Sequence, residues 1–297
     1  MKPEPSLTRK LEVYAGLITT GFGNAMHQYF SYRTQSTMKI VGTIMEVMVW
    51  GLLGGLVANR ALEAELISFY GTPDMVSFML SGIVINRLVD IAQFIDPRFF
   101  QRGYTIYHNR PFSMWVVAIA DAIDVKLFWK IVDLTLYITF ATLVFQVQFH
   151  FTSLGFWLVI LLGALFRFGL NLFTAGWSLA TRSGQDPINW FYHTTSRLFT
   201  GELIPITALW TIPIIGPGFK AISLIHPKTY VQILGRRTLI GQASLRQILP
   251  QHWISLPAQI FLPVLIAAGI FFLLLGITTL KTGIKRAKRE GTLMWRG

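Results

Sequence analysis

The chain contains no cysteine, which excludes disulfides, zinc–thiolate sites and cysteine nucleophiles and leaves the redox compartment open. Charge is scarce too: only 13% of the 297 residues are Asp, Glu, Lys or Arg, against 53% apolar residues. An ordinary soluble domain carries about 25% charged residues. A charge-poor chain of this length, with mean hydropathy +0.51, buries its apolar surface in a bilayer through several spans. Acids are the rarer sign, 14 against 26 Lys and Arg, giving a formal net charge of +12. The basic residues cluster beside apolar stretches, where they set orientation and touch anionic lipid headgroups, so nucleic-acid binding is not expected. Catalytic patterns are missing as well. No phosphate loop occurs, since Gly216-Pro217-Gly218-Phe219-Lys220 has the wrong spacing and no strand before it, and Gly21-Phe22-Gly23 is half a dinucleotide fingerprint at most. There is no H-E-x-x-H or G-x-S-x-G, and His27, His108, His150, His193, His226 and His252 lack ligand spacing. The chain is therefore expected to be no enzyme and to hold no metal or cofactor. Its start, MKPEPSLTRK, lacks the apolar core of a cleavable signal, so the first span is expected to act as the insertion signal.

What is present is a series of membrane-length apolar stretches. A span needs roughly 20 apolar residues at 1.5 Å rise each. Six stretches qualify, at 39–58, 75–95, 126–146, 154–180, 188–209 and 256–280, which predicts an all-α membrane protein forming one transmembrane domain over 1–297. Residues 1–38 form a separate elbow region, in which the polar and apolar alternation of 7–32 suits a helix lying in the interface. Arg9, Lys10, Arg33, Arg182, Lys281, Lys285, Arg286, Lys288 and Arg289 fall on one side, which the positive-inside rule makes cytoplasmic, with both termini there. One outer loop dissents, with Lys220, Lys228, Arg236, Arg237 and Arg246. Tryptophans at span ends read as an interfacial belt.

Three features carry functional information. First, residues 96–113, DPRFFQRGYTIYHNRPFS, are too polar for a span and combine the charges of Arg98, Arg102 and Arg110 with the anchors Phe99, Phe100 and Tyr104. A short helix pressed into another protein's groove needs both. Downstream, 113–149 lacks proline and glycine; as one helix it would run roughly 55 Å and protrude from the membrane, with a divided helix as the alternative. Second, Pro205, Pro213 and Pro217 with Gly216 and Gly218 break the apolar region 201–253, which predicts a re-entrant pair of short helices over the outer mouth of a cavity. Third, charges inside spans are costly. Arg87 with Asp90 and Lys130 with Asp133 are i,i+3 pairs able to neutralise one another. Glu46, Arg167 and Arg197 have no partner on their own helix and either bridge helices or face a cavity; Glu202 and Pro205 stand at the broken region.

The order of elbow, two spans, polar segment, four spans and broken outer region resembles the type-2 permease subunit of ATP-binding-cassette transporters. Gly103–Asp121, GYTIYHNRPFSMWVVAIAD, resembles the Gly-Thr-Leu-Glu and Pro-Val-Ser elements that follow the family's coupling helix. Gly201-Glu202-Leu203-Ile204-Pro205 and His226-Pro227-Lys228-Thr229-Tyr230 resemble its Ser-Gly, Phe-Pro and Asn-Pro-Leu-Thr-Tyr elements, with Thr200 for serine and His226 for asparagine. The resemblance implies a prokaryotic plasma-membrane protein that pairs with a second permease half and with ATPase subunits docked on 96–113. ATP and magnesium would be held by those partners. It further implies export of an amphiphile, a lipid, glycolipid, polysaccharide precursor or hydrophobic drug, along a path lined or gated by Glu46, Arg167, Arg197, Glu202 and Pro205. Two alternatives stay open: a proton- or ion-coupled carrier using Glu46, Asp90 or Asp133, and a membrane anchor or assembly factor without transport.

Overall fold

The computed structural model describes residues 33–57, 74–91, 125–181, 199–206, 213–241 and 261–290 continuously, with scattered positions at 12–31 and at 192, 195, 196 and 210. Helix is the only regular structure among the described residues. It comprises α1 (Arg33–Val57), α2 (Met75–Ile91), α3 (Val125–Phe145), α4 (Leu154–Thr181), α5 (Gly216–Ile225), α6 (Pro227–Leu239) and α7 (Phe261–Arg289). Four of these contain stretches long and apolar enough to cross a membrane: Ser36–Leu56, Leu127–Phe145, Leu154–Thr181 and Phe261–Ala287. They coincide with four of the six stretches read from hydropathy. α2 coincides with a fifth over its 17 described residues and is enclosed by the other helices, with Phe78, Leu80, Val84 and Ile85 fully buried.

Short polar residues set the helix starts. Asp74 accepts from the backbone N–H of Val76 (3.0 Å) and Ser77 (2.9 Å) and so caps α2, while the Ser153 hydroxyl accepts from Phe156 N–H (3.4 Å) at the head of α4. Two expectations need correction. The proline-free stretch 113–149 does not stay helical to its end: Gln146 adopts a left-handed φ of 55° and stops α3 at Phe145. Nor does the expected span 188–209 continue past Thr200, because Gly201 turns with a φ of 74° and 201–205 is non-helical. A left-handed residue is the ordinary way to end a helix, and glycine takes it without a Cβ penalty. In the elbow region the described positions from Glu12 to Ser31 are helical and exposed.

The helices form two groups. α1 and α3 run parallel, since Lys39 meets Trp129, Thr43 meets Asp133 and Gly51 meets Phe145, with α2 antiparallel between them. α4 and α7 make the closest pair. A Cβ on Gly276 would stand 2.3 Å from the Gly169 carbonyl oxygen, one on Gly283 2.4 Å from the Gly176 oxygen, and Gly269 lies against Leu162 and Leu165. These contacts keep one register over seven-residue steps, so the two helices are parallel and their backbones touch along a glycine seam. Parallel packing of two crossing helices has a topological consequence. The chain between them must return across the bundle an odd number of times, which the helical positions around Tyr192 and Ser196 begin to supply.

α5 and α6 are too short to cross a membrane and form a hairpin bent at His226. The His226 Nδ1 accepts from Lys228 N–H (3.3 Å), capping α6, and Pro227 occupies its first turn. α6 runs counter to α4. Val231 packs on Gly163, while the carbonyl of Leu239 accepts from His150 N–H (2.7 Å) just ahead of α4. The hairpin bend thus reaches the level of Phe166 and Arg167, about 20 Å along α4 from its start.

Candidate functional site

The intramembrane charges gather into two joints. In the first, on α1 to α3, the guanidinium of Arg87 bonds Glu46 of α1 and Asp133 of α3 together, Thr43 donates to Asp133, and Arg87 lies 4.7 Å over the Tyr137 ring. Lys130 donates to the backbone carbonyl of Asp90 at 2.6 Å. The expected on-helix neutralisation of Arg87 by Asp90, and of Lys130 by Asp133, is therefore corrected: the carboxylates that bind Arg87 come from neighbouring helices. An i,i+3 spacing permits a pair, but the α2 face bearing Arg87 looks between α1 and α3, and the forked guanidinium satisfies two carboxylates there at once. Of the alternatives open for Glu46, it bridges helices. The side chains of Glu46 and Asp133 remain 40% and 37% exposed, so this joint has an open flank that lipid would not tolerate.

The second joint is closed. Lys228 donates to Glu202 (2.7 Å) and to the Ser196 hydroxyl (3.3 Å). Arg236 donates to the carbonyls of Phe78 (3.0 Å) and Glu202 (2.7 Å) and covers the Phe78 ring at 3.8 Å. Gln232 donates to the carbonyl of Gly82 (3.2 Å). Residue 82 has to be glycine for this, since a Cβ would stand 2.3 Å from the Glu202 oxygen and 2.0 Å from the Arg236 guanidinium. Glu202, Lys228 and Arg236 are all buried, at 4%, 8% and 0% exposure. Two of the five basic residues in the dissenting loop, Lys228 and Arg236, are thus core groups that tie the hairpin to α2 and to the turn after Thr200.

Arg167 is buried on α4, with its guanidinium 4.4 Å over the Tyr192 ring, and Tyr192 stacks on His226 at 4.9 Å. Burial, helped by the nearby charges of Lys228 and Arg167, pushes the His226 imidazole down to about 3. The ring is neutral at pH 7, with Nδ1 accepting and Nε2 protonated. A cavity of about 10 Å³, enough for one water, opens beside it between Asn86, Tyr192, Lys228 and Gln232. The buried carbonyl oxygen of Gln232 has no protein partner and faces the polar requirement such a water meets.

Of the residues picked from sequence, Glu46, Glu202 and Arg167 stand in these networks, and Pro205 is buried just past Glu202. Arg197 and the docking residues Arg98, Phe99, Phe100, Arg102, Tyr104 and Arg110 lie outside the described residues. Sequence reasoning missed Lys228, Arg236 and Gln232 as site residues. Their spacing of four and eight, on one helical face immediately after a proline start, was the available signal. No metal-ligand cluster occurs among the described residues. No protein-family model, curated protein or solved structure matches the chain.

Proposed function

We propose that this chain is the membrane permease half of an ATP-driven exporter for an amphiphilic cargo, working as a pair of halves with separate ATPase subunits docked on 96–113. The observation that carries the reading is the hairpin α5–α6, a broken, proline-started element whose second helix is buried and whose bend reaches mid-helix depth, held by Glu202, Lys228 and Arg236, where a simple anchor needs only spans. Non-helical backbone at such depth is tolerated where it is buried in protein or lines a path.

The docking segment connects α2 to α3, the helices that Arg87 clamps to α1. Closure of the ATPase subunits would push on that segment and shift α1, α2 and α3 relative to one another at the Arg87 joint, opening and closing a path beside it while the glycine-locked α4–α7 pair stays fixed. The half-exposed Glu46 and Asp133 would face this path. Both are already bound to Arg87, which supports a fixed electrostatic lining over a carboxylate that loads and releases a proton in each cycle. In this reading the basic end of α7 is cytoplasmic, in a prokaryotic plasma membrane.

The test is the triple variant Phe99→Ala, Phe100→Ala, Tyr104→Ala, expressed with its ATPase. Loss of co-purification with the permease still folded is the expected result, since such anchors are each worth about 2 kcal/mol or more. Recovery of the ATPase at the wild-type level sinks the docking assignment.

A further inference from the structure

We propose that the outward face of the basic end of α7 forms a binding site for an anionic phospholipid. α7 is 29 residues long, about 43 Å, and so outruns a hydrocarbon core of about 30 Å by several turns. Its outward face is continuous. Ile270, Phe271 and Leu274 are exposed apolar residues, and the same stripe, followed at steps of three and four, passes through Thr278 to Lys281, Lys285 and Arg289, all exposed. The stripe changes from acyl-chain chemistry to cationic chemistry within one turn, whereas the opposite face, with Leu280, Gly283 and Ala287, stays buried.

The glycine seam locates the change in depth. Gly176 lies on Gly283, so its neighbour Trp177, which is 44% exposed, stands at the level of Lys281 to Lys285. Exposed indoles take the headgroup level of a bilayer, which marks this level as the place of lipid phosphates without reference to the charges. Arg286 is taken by Glu290 (2.9 Å), but Lys281, Lys285 and Arg289 make no ion pair or hydrogen bond with any described residue. A zwitterionic headgroup brings no net charge to three unpaired cations in a row; an anionic one brings a net negative charge to them. One lipid, with its chains along Ile270 and Leu274 and its phosphate between Lys281 and Lys285, fits both halves of the stripe. The inference rests on the fold and not on the transport reading.

The experiment is native mass spectrometry of the purified chain from vesicles of phosphatidylethanolamine with a minority of phosphatidylglycerol, counting each retained lipid. Each basic side chain near a surface contributes roughly a five-fold preference for anionic lipid. Wild type is expected to retain phosphatidylglycerol well above its bulk share. Each of Lys281→Gln, Lys285→Gln and Arg289→Gln should lower the enrichment by roughly that factor, and the triple variant should return it to the bulk ratio. The charge-conserving pair Lys281→Arg, Lys285→Arg should keep it. Retained lipid at the bulk ratio in wild type, enrichment surviving in the triple variant, or enrichment lost in the arginine pair would each overturn the proposal.

Discussion

The α4–α7 seam and the charged joints hold helices together by opposite means. Along the seam, glycines at seven-residue steps let backbone meet backbone, with apolar side chains packed around them and no ion pair in the contact. At the joints, side chains carry the contact: Arg87 draws α1 and α3 onto α2, and Lys228 with Arg236 draws the hairpin onto Glu202 and Phe78. The difference teaches which parts can change partners. A seam set by backbone geometry has one good register, while an ion pair can be exchanged for water or for another ion pair at modest cost when its surroundings open. We therefore read the seam as the fixed part of the molecule and the half-open Arg87 joint as the moving part.

The largest effect is expected at the closed joint. Lys228→Met leaves Glu202 buried without its cation, which costs about 3–5 kcal/mol, and thermal unfolding in lipid nanodiscs should show it. Double replacement by Lys228→Met with Glu202→Leu should recover much of that loss. If the single and double variants melt alike, the pair does not hold the hairpin.

The seam comes next. Gly276→Ala puts a methyl against the Gly169 carbonyl oxygen, a backbone atom that cannot swing aside, and should cost about 3 kcal/mol. Gly42→Ala and Gly55→Ala, with nothing within 4 Å of the added carbon, should be nearly silent. Equal melting of all three would dissolve the contrast between seam and joints.

Acid should act on the hairpin and not on the seam. The folded-state pKa of His226 is depressed to about 3 from the usual 6.5, so the unfolded chain takes the proton first. Its contribution is complete above pH 6.5 and declines as pH falls from there towards 3, by about 2 kcal/mol at pH 5. His226→Asn keeps an N-cap acceptor and should flatten that part of the stability–pH curve. An unchanged slope in the variant would assign the acid sensitivity elsewhere.

The smallest effect belongs to the open joint. Arg87→Met strands Glu46 and Asp133, but both reach water or the path, so the loss should be about 1 kcal/mol and should shrink further in high salt. A loss as large as that of Lys228→Met would mean that this flank is closed.

Much of the fold was legible in the sequence because hydropathy reads solvent, and four apolar runs are long and apolar enough to cross a membrane. The break in 201–253 was legible too, since Pro205, Pro213 and Pro217 forbid a straight span. Partner choice was not. Arg87 has an acid three residues along its own helix, and only the packing of α1 and α3 shows that Glu46 and Asp133 are nearer. The seam glycines at 169, 176, 276 and 283 carry a visible period, but the register between two distant helices is a property of neither stretch alone. The stop of α3 at Gln146 has no glycine or proline to announce it. Lys228 and Arg236 looked like surface charge because basic residues are rarely buried; their partners include backbone carbonyls, the Ser196 hydroxyl and Glu202, which no local pattern reveals.

The most direct test uses the absence of native cysteine. Leu165→Cys with Gly269→Cys places two thiols across the seam, where the Cβ separation is 3.9 Å and a disulfide closes without movement. Lys39→Cys with Trp129→Cys places two thiols one turn from the Arg87 joint for a short bis-maleimide, leaving Glu46, Arg87 and Asp133 intact. Both are to be measured in the complex with its ATPase, with and without ATP. Seam cross-linking should be indifferent to ATP, and joint cross-linking should change with it. A joint that ignores ATP, or a seam that responds to it, contradicts the division into fixed and moving parts and with it the ATP-driven reading.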